Sequence, residues 1–477
     1  MMWWGSEARC GRRWAGEGQD AAEALICMHR KRVRGVVWRP GTPERGAHSM
    51  ATKPALAGGN RAAFLLAFPS SNQNVRADAL ALERAGMLSL FCTTIAWRRS
   101  RGLFGFLPPG VRRELERRLF DGIDPARIST FPVLELVRLI ASRLGLSALT
   151  RHEVGWVSFD GVSRAFDRHV ARLIRRGSVS ASAVYAYEYA AKWTFEAAAE
   201  RGMRRFYELP IGYWRAGVRI MTEERERNPE WALTMEALQD SAQKQEQKDA
   251  EIRAADHIIV PSDFVRATLR EHPAVTATVD VIPYGAPMPR PSALTARSRG
   301  GKLRLLFVGH LSQRKGISYL FDAMRQLQSV ATLTLVGPRV GGACPTLDGE
   351  LKRHNWIAAV SHGQVLEIMS QHDIFVFPSL FEGLALVLLE AMAQGLPVVT
   401  TSNSGGSMVV DDGANGFVVP IRDPYAIVDA VLKLYNDRDR LASMSTAALR
   451  KAEEMSWAAR ERALVALLHR RMVACDS

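Results

Sequence analysis

The chain has 477 residues, of which 47% are hydrophobic and 23% are charged, and this composition is typical of a globular protein with room for two domains. Its five cysteines are scattered without a CxxC pair or a metal-like histidine spacing, so neither a disulfide framework nor a cysteine-rich metal site is expected. A reducing cytoplasm is the predicted location. Lysine and arginine outnumber aspartate and glutamate by 14, which predicts an anionic partner.

The beginning of the chain shows no sustained periodicity. Residues 1–55 are predicted to be a disordered extension, and Met50 is a candidate start of the native protein. No apolar run approaches the roughly 18 to 20 residues that cross a bilayer, so an integral membrane protein is not expected.

The first predicted strand is the apolar run Ala62–Phe68, which leads through a polar loop into a helix from Val75 to Ala85. A Rossmann half begins in this way. The loop contains Asn72 and Asn74, whose amides could bind a ligand in a cleft, although a turn-forming role is commoner. Because this loop lacks G-x-G-x-x-G and the chain has no P-loop pattern, a dinucleotide dehydrogenase and a P-loop enzyme are not expected.

The segment Arg98–Arg113 mixes arginines with aromatic residues and prolines. It could lie on an anionic bilayer, but the prolines interrupt any long amphipathic helix, so a solvated loop and helix face is favoured. No DNA- or RNA-binding signature accompanies the basic charge, and nucleic acid is therefore not a predicted partner.

Two further predicted strands, Ser182–Glu188 and Arg204–Pro210, flank a helix from Ala190 to Arg201 and form a βαβ unit. Glu188 and Glu208 lie near the ends of these strands and are candidate polar residues of a cleft. Each could equally cap a helix or pair with an arginine. The charged stretch over residues 223–256 predicts long surface helices.

Prolines after Gly285 and polar residues up to Gly301 predict a linker, with a domain boundary near Pro291. The predicted organisation is a Rossmann-like domain over residues 56–291, a second over residues 301–455, and a C-terminal helix over residues 456–477.

The second predicted domain begins with the strand Leu303–Gly309, the loop His310–Gly316 and a helix. Loops after parallel strands lie at the carboxyl edge of the sheet, where open α/β folds bind ligands. Arg314 and Lys315 are therefore candidate ligands for a diphosphate.

The most informative pattern is the pair Glu382 and Glu390, which follows the predicted strand Asp373–Ser379. If the segment is helical from Gly383, the two carboxylates lie on roughly one side of the helix, about 12 Å apart along its axis. They could then serve two ends of one elongated ligand.

The same prediction makes the start of this helix a phosphate site. The backbone amides of Leu384, Ala385 and Leu386 would be free donors at the positive end of the helix dipole, which favours phosphate.

This series of motifs resembles the retaining glycosyltransferases of the GT-B type, in which two Rossmann-like α/β domains face each other across a cleft, and specifically the large family 4, the glycosyl transferases group 1. The resemblance covers residues 302–472. Its elements recur in order as Phe307-Val308-Gly309 through Lys315-Gly316, Leu335-Val336-Gly337, Phe377-Pro378-Ser379, Glu382-Gly383 through Glu390-Ala391-Met392-Ala393, Gly395-Leu396-Pro397-Val398-Val399, Asp412-Gly413 and Asn415-Gly416-Phe417-Val418-Val419.

The resemblance implies roles for single residues. Glu382 would be the catalytic residue that orients the transferred sugar, and Glu390 would hold the ribose of a UDP- or GDP-linked sugar. Lys315, with Arg314, would bind the diphosphate, and the amides from Gly383 to Leu386 would close around the sugar's phosphate. The C-terminal helix would cross back onto the first domain.

Two positions depart from the family pattern. The family often carries arginine where His310 stands and a second glycine where Ala385 stands. A neutral imidazole offers one donor where a guanidinium offers a charged fork, and Arg314 is the candidate for the missing charge. His310 is kept as a donor-binding candidate, with an ordinary turn residue as the alternative.

The expected activity is therefore transfer of a sugar from a nucleotide sugar to a sugar or lipid-linked acceptor, in polysaccharide or glycolipid biosynthesis. Retention of configuration is implied, and neither a metal nor another cofactor is expected. The only conspicuous D-x-D, Asp437–Asp439, is interpreted as a solvated turn.

Two alternatives stay open. One is a sugar-nucleotide epimerase or phosphorylase of similar fold, and the other is a non-catalytic protein that binds a nucleotide sugar or a membrane surface. Peripheral contact with the anionic inner face of the membrane is compatible with either reading.

Overall fold

The computed structural model describes residues 62–97, 116, 118–235, 240–290 and 300–473. The predicted extension over residues 1–55, the basic segment Arg98–Arg113 and the predicted boundary at Pro291 lie outside the described residues. Those three predictions stay predictions.

The first half of the described chain is built on a parallel sheet of seven strands. In chain order the strands are β1 (Phe64–Ala67), β2 (Leu88–Thr93), β3 (Ile128–Thr130), β4 (Ala183–Tyr187), β5 (Arg204–Glu208), β6 (His257–Val260) and β7 (Thr278–Val281). Their spatial order is β3-β2-β1-β4-β5-β6-β7. Strand β1 is buried over its whole length, because helices cover both faces of a parallel sheet.

Helices connect these strands. They are α1 (Gln73–Arg84), α2 (Val133–Arg143), α3 (Ser147–Thr150), α4 (Phe159–Arg175), α5 (Lys192–Glu200), α6 (Trp214–Arg227), α7 (Ala242–Ala254) and α8 (Asp263–Thr268). The predicted strand Ala62–Phe68 and its following helix are confirmed as β1 and α1, with small shifts at their ends.

The second half is a parallel sheet of six strands. In chain order they are β8 (Leu303–Val308), β9 (Ala331–Val336), β10 (Asn355–Ile357), β11 (Ile374–Phe377), β12 (Val398–Thr401) and β13 (Gly416–Val419). The spatial order is β10-β9-β8-β11-β12-β13.

The helices of the second half complete the architecture. They are α9 (Ile317–Leu327), α10 (Pro345–Leu351), α11 (His362–Ser370), α12 (Leu386–Ala393), α13 (Gly406–Val409), α14 (Pro424–Asn436) and α15 (Arg438–Glu454), and they are followed by the last helix, α16 (Trp457–Val473).

Both sheets therefore have the doubly wound strand order, in which the connections reverse direction beside the first strand. The reversal lies between β1 and β4 in the first half and between β8 and β11 in the second. Ligands of such sheets bind outside the carboxyl ends of the strands at this switch point. The prediction of an α/β protein with two Rossmann-like sheets is confirmed.

The last helix, α16, packs on α1 of the first half. Its Arg460 is buried and donates to both carboxylate oxygens of Asp78 in α1, at 3.1 and 3.0 Å. Its start lies so close to Gly285 that a Cβ there would be 2.4 Å from the Cα of Trp457. Among the described helices, none is both long enough and apolar enough to cross a bilayer.

Candidate functional site

The switch point of the second sheet brings together two loops that carry the candidate residues. Strands β8 and β11 are hydrogen-bonded neighbours, so the loops that follow them meet at one edge. The carbonyl of Arg314 accepts hydrogen bonds from the amide of Leu380 at 2.9 Å and from the hydroxyl of Ser379 at 3.1 Å. The first loop is therefore fixed directly against the second.

Gly316 makes this close approach possible. It has a φ of 68°, and a Cβ there would lie 2.0 Å from the carbonyl oxygen of Pro378. An L side chain would be strained by the backbone angle and would collide with the second loop. The glycine thus sets the position of the preceding turn, Gln313–Lys315, above the strand ends.

Lys315 and Arg314 converge on Glu382. The ammonium of Lys315 is buried and contacts Oε1 of Glu382, and it lies 5.1 Å from the centre of the Phe377 ring. Arg314 donates through Nη1 to the same carboxylate oxygen at 2.6 Å and to the carbonyl of Phe381 at 2.8 Å. The three predicted side chains form one cluster with two cations and one carboxylate.

Burial lowers the pKa of the Lys315 ammonium well below its usual range, and the neighbouring Arg314 charge lowers it further. The contact with the Glu382 carboxylate acts in the opposite direction, because an adjacent negative charge favours the protonated amine. A second anion near Lys315 would strengthen that opposing effect.

His310 lies in the same loop and is partly buried. Burial, followed by the charges of Lys315 and Arg314, lowers the pKa of its imidazole to about 4. The ring is therefore neutral at pH 7 and can donate or accept a hydrogen bond, but it adds no charge to the cluster.

The prediction of a helix that starts at Gly383 is wrong. Helix α12 begins at Leu386, so Glu382 lies in the loop before the helix and the estimate of two carboxylates along one helix side does not apply. The amide of Ala385 donates to the carbonyl of Ser404 at 3.0 Å, so it is not the free donor that the sequence predicted. Leu384 packs into the apolar core of the second half.

Gly383 instead contacts the first half. A Cβ at this position would lie 1.8 Å from the carbonyl oxygen of Pro210, and Ile211 forms an isolated antiparallel bridge with Gly383. Its own carbonyl accepts a hydrogen bond of 2.7 Å from the hydroxyl of Ser262. The glycine is required here for a close backbone approach between the halves.

Glu390 lies within α12 and has a separate partner. Its Oε1 is 3.0 Å from Nε2 of His362, the first residue of α11. The hydrogen bond to Glu390 raises the pKa of His362. Sequence reasoning missed His362; the capping box Ser361–Gln364 could have indicated the start of α11, but it contains no signal for the pairing with Glu390.

The two asparagine candidates of the first half have structural roles. The side chain of Asn72 caps α1 by accepting from the amide of Val75 at 2.8 Å. Asn74 is buried in the first turn of that helix. The alternative of a turn-forming role describes Asn72 correctly.

Glu208 is not a cleft residue. It is completely buried, and it accepts from Nη2 of Arg460 at 3.2 Å and from the hydroxyl of Tyr185. Burial raises the pKa of Glu208 to about 7, and the charge of Arg460 opposes this shift. The prediction that Glu208 is a polar residue of the cleft is therefore wrong. Its pairing with an arginine is one of the alternatives that the sequence left open.

Glu188 follows β4 and is the first-half candidate that lies in a polar cluster at the strand ends. Its Oε1 is 3.8 Å from Nζ of Lys248, which also pairs with Asp240 at 2.9 Å. Burial raises the pKa of Glu188, while Lys248 lowers it. The neighbouring Tyr189 has a φ of 83°, a strained value for a residue with a side chain.

One group of possible metal ligands occurs among the described residues, and it lies in this first-half cluster. His152, Glu153 and Asp240 place one ligand atom each within 4.8 Å of one another. The ammonium of Lys244 lies 2.8 Å from Asp240 and 3.2 Å from His152, so a cation already neutralises this group.

In the D-x-D sequence, Asp437 caps α15 by accepting from the amide of Arg440 at 2.8 Å.

A buried glutamate ties the site to the first half. Glu224 of α6 is completely buried and accepts from Gln313 at 2.7 Å, from Tyr319 at 2.9 Å and from Arg422 at 2.8 Å. The amide of Gln313 also donates to the hydroxyl of Thr234 at 3.0 Å. The sequence predicts long surface helices over residues 223–256, and Glu224 lies on the buried side of α6. Nothing in its local sequence distinguishes it from the neighbouring Glu223 and Glu226.

The family model of the glycosyl transferases group 1 matches residues 302–437 of this chain. The matched stretch includes Lys315, Glu382 and Glu390. A curated protein, the D-inositol 3-phosphate glycosyltransferase of Corynebacterium jeikeium, is 31% identical over 235 residues, which are 44% of this chain and 56% of that protein. The chain spans about half the length of the curated relatives it matches.

Two solved structures are similar over most of this chain. Sucrose-phosphate synthase from Thermosynechococcus elongatus has a TM-score of 0.60 and 18% identity, with 87% of this chain and 100% of that chain covered. Alr3699/HepE of Anabaena, in complex with UDP, has a TM-score of 0.57 and 15% identity, with 86% and 99% covered. The fold is GT-B. The predicted fold class is thus confirmed, whereas assignment to family 4 and retention of configuration stay predictions.

Proposed function

We propose that this protein is a glycosyltransferase that moves a sugar from a nucleoside diphosphate to a hydroxyl group of an acceptor. The observation that carries the proposal is the convergence of Lys315, Arg314 and Glu382 at the switch point of the second sheet. This cluster falls inside the stretch that is similar to the glycosyl transferases group 1. Support also comes from the fold, which is shared with a protein solved with UDP bound.

The departing diphosphate needs positive charge, because negative charge grows on its oxygen as the bond to the sugar breaks. Lys315 and Arg314 bring two cations, and Glu382 neutralises one of them. A diphosphate brings further negative charge to these two cations, and the buried position of Lys315 strengthens the attraction. Fixed side-chain cations can supply this stabilisation without a metal ion, so we propose a metal-independent reaction.

The proposed role of Glu382 depends on its two cations, Lys315 and Arg314, pairing with the diphosphate when the donor binds. Once the diphosphate takes over the two cations, the carboxylate becomes able to accept hydrogen bonds from hydroxyls of the transferred sugar. A nearby carboxylate also stabilises the positive charge that develops on the sugar ring as the bond breaks.

We propose that configuration is retained. The acceptor oxygen bonds to the anomeric carbon on the face from which the diphosphate departs, the bond between that carbon and the diphosphate breaks, and a diphosphate oxygen takes the acceptor's proton. No side chain need form a covalent intermediate in this scheme.

Glu390 is the proposed ligand of the nucleoside ribose. His362 contacts its Oε1 at 3.0 Å, which orients the carboxylate. We assign the ribose hydroxyls to Oε2. His310 supplies a neutral donor near the phosphates, in the position where related proteins often have a charged one.

The acceptor is proposed to be a sugar or a lipid-linked sugar in polysaccharide or glycolipid synthesis, handled by the first half on the cytoplasmic side of a membrane. Glu188 is the first-half residue that we assign to the cleft, because it lies at the end of β4 in a polar cluster rather than in the core. The excess of 14 positive charges supports contact with anionic lipid.

Titration calorimetry tests the donor site. The full chain is titrated with UDP, GDP, UDP-glucose and GDP-mannose in the presence of EDTA. We expect binding by one nucleotide series, loss of that binding in Glu390→Ala, and retention in Glu367→Ala, which makes the same charge change at an exposed residue of α11. Absence of binding by every ligand, or equal binding by both variants, would contradict the assigned donor site.

A turnover assay separates the alternatives. A transferase requires a separate acceptor, an epimerase converts the donor alone, and a phosphorylase consumes inorganic phosphate. The neutral His310 and the engaged amide of Ala385 are the observations that favour a non-catalytic binding protein. Donor binding without transfer or hydrolysis above background would establish that alternative.

A further inference from the structure

Helix α2 presents its apolar side to solvent and its charged side to the protein. Val133, Leu136, Ile140 and Leu144 are 65%, 47%, 56% and 68% exposed. At 100° per residue these four positions fall within about 80° of the helix circumference. A helix on the surface of a water-soluble protein has the reverse arrangement, with its apolar stripe turned toward the core.

The inner side of α2 is held by ion pairs. Glu135 is buried, and it accepts from Arg138 at 2.6 and 2.7 Å and from Arg118 at 2.9 Å. Arg138 belongs to the same helix, whereas Arg118 lies outside it, so the apolar stripe cannot turn inward without separating the buried Glu135 carboxylate from Arg118. The outward orientation is therefore imposed by the fold.

Exposed apolar residues continue along the chain beyond the helix. Exposed side chains follow over the next turns of chain, namely Leu146 (47%), Leu149 (37%), Val154 (78%) and Trp156 (68%). Eight of the twelve exposed large hydrophobic residues in the described chain lie between residues 133 and 156, whereas the other four, Leu233, Met288, Tyr425 and Val473, lie on separate elements. An accumulation of exposed apolar residues in one short segment is typical of an interaction surface.

The charges around the patch indicate its partner. Within residues 133–156 the exposed ionisable side chains are Arg143, Arg151 and His152, whereas the two carboxylates, Glu135 and Glu153, are buried and partly buried. A surface with aliphatic groups, an exposed tryptophan and arginines, and without an exposed carboxylate, is complementary to the interface of an anionic bilayer.

We propose that residues 133–156 dock the protein on the surface of an anionic lipid bilayer. This bilayer-docking surface inserts its aliphatic side chains and Trp156 at the level of the headgroups, and Arg143 and Arg151 pair with lipid phosphates. It differs from the segment Arg98–Arg113 that composition suggested. It is separate from the donor site, because the described hydrogen bonds of Lys315, Glu382 and Glu390 join them to residues outside 133–156.

Vesicle flotation with the full chain tests the proposal. The protein is mixed with vesicles of phosphatidylcholine alone or of phosphatidylcholine with phosphatidylglycerol. The test variant carries Ile140→Glu and Leu144→Glu, and the matched control carries Met288→Glu and Tyr425→Glu, two exposed apolar residues outside the surface with the same total charge change. Circular dichroism and nucleotide calorimetry without vesicles check that both variants are folded.

We expect the natural chain and the control to float with anionic vesicles but not with neutral ones, and the partition coefficient of the test variant to fall by at least about tenfold. Equal flotation of both variants would overturn the proposal, because another segment would then hold the membrane. Failure of the natural chain to float would also overturn it. So would a dimer in sedimentation velocity that the test variant dissociates, since a second copy would then cover the surface. Nucleotide binding in solution is measured separately, so failure of the bilayer-docking surface is distinguishable from failure of the donor site.

Discussion

The two halves share one strand order, but the charged groups beside their sheets are arranged in opposite ways. In the second half, two cations, Lys315 and Arg314, share the carboxylate of Glu382. In the first half, two carboxylates, Asp78 and Glu208, share the guanidinium of Arg460. One cluster has an excess of positive charge and the other an excess of negative charge.

The difference teaches that topology alone does not decide which polar cluster binds a ligand. The members of the first-half cluster, the closed cluster, bind one another. Arg460 also donates to the carbonyl of Ile282 at 2.9 Å, and the hydroxyls of Tyr185 and Tyr187 donate to Glu208 and Asp78, respectively. The second-half cluster, the open cluster, lies in loops at the strand ends of the switch point, where open α/β sheets bind ligands. The closed cluster is structural, and the open one is the candidate binding site.

The largest expected effect comes from removing the shared cation of the closed cluster. Arg460→Met leaves Asp78 and Glu208 buried without their counter-charge. We expect the free energy of unfolding to fall by about 3–5 kcal/mol, measured by urea denaturation.

Arg462→Met, at an exposed position of the same helix, is the matched control and should change stability little. Unfolding of both variants at the same urea concentration would show that the closed cluster does not stabilise the first half.

Removing the shared charge of the open cluster should affect catalysis rather than folding. Glu382→Gln keeps the size of the side chain but removes the carboxylate that orients the sugar. We expect turnover to fall by about 100-fold, measured as steady-state transfer from the donor. Glu367→Gln on α11 is the control and should keep full turnover; a Glu382→Gln protein as active as this control would exclude Glu382 from the mechanism.

Removing one cation of the open cluster should weaken donor binding. Lys315→Ala is expected to raise the dissociation constant of the preferred nucleotide by about tenfold, because one charge-assisted contact with the diphosphate is lost. Calorimetry measures the change, with Lys352→Ala at an exposed position as the control. An unaltered dissociation constant would mean that Lys315 pairs only with Glu382.

The smallest effect is a pH dependence of the closed cluster. The pKa of Glu208 rises from an ordinary value of 4.5 to about 7 in the folded protein. The folded state therefore binds the proton more tightly than the unfolded state, so this residue's contribution is fully present below pH 4.5 and is lost as the pH rises toward 7.

Glu208→Gln removes this titration. We expect the decline in unfolding free energy between pH 4.5 and 7 to become shallower, by at most about 1.4 kcal/mol per pH unit. Urea denaturation at several pH values measures the slope. An identical slope in the natural chain and the variant would show that Glu208 does not titrate in that range.

Much of the architecture was predictable because apolar runs and their following loops recur along the chain. The run Leu303–Gly309 predicted β8, and its loop correctly carried Lys315 to the switch point. The predictions that were wrong concern residues whose conformation depends on contacts between segments that are distant in sequence. Gly383 looked like the start of a helix, but its conformation is fixed by the approach of Pro210 from the first half.

Glutamates show the same limit. Glu188 and Glu208 both end predicted strands, yet one lies in a polar cluster and the other pairs with Arg460. Glu224 lies in a charged helical stretch, yet it binds residues of the other half. Their roles are set by which cation or donor the fold brings to them. Periodicity and composition contain no information about such pairings.

Glu224 connects the two halves through hydrogen bonds to a single carboxylate. A single carboxylate from α6 holds Gln313, Tyr319 and Arg422, so pulling the halves apart would remove three donors from one buried charge at the same moment. Separation should therefore occur as a single cooperative step instead of a gradual widening. Gln313 begins the turn that ends at Lys315, so each such step would also shift the lysine. The distance between the halves and the affinity for the donor would then change together.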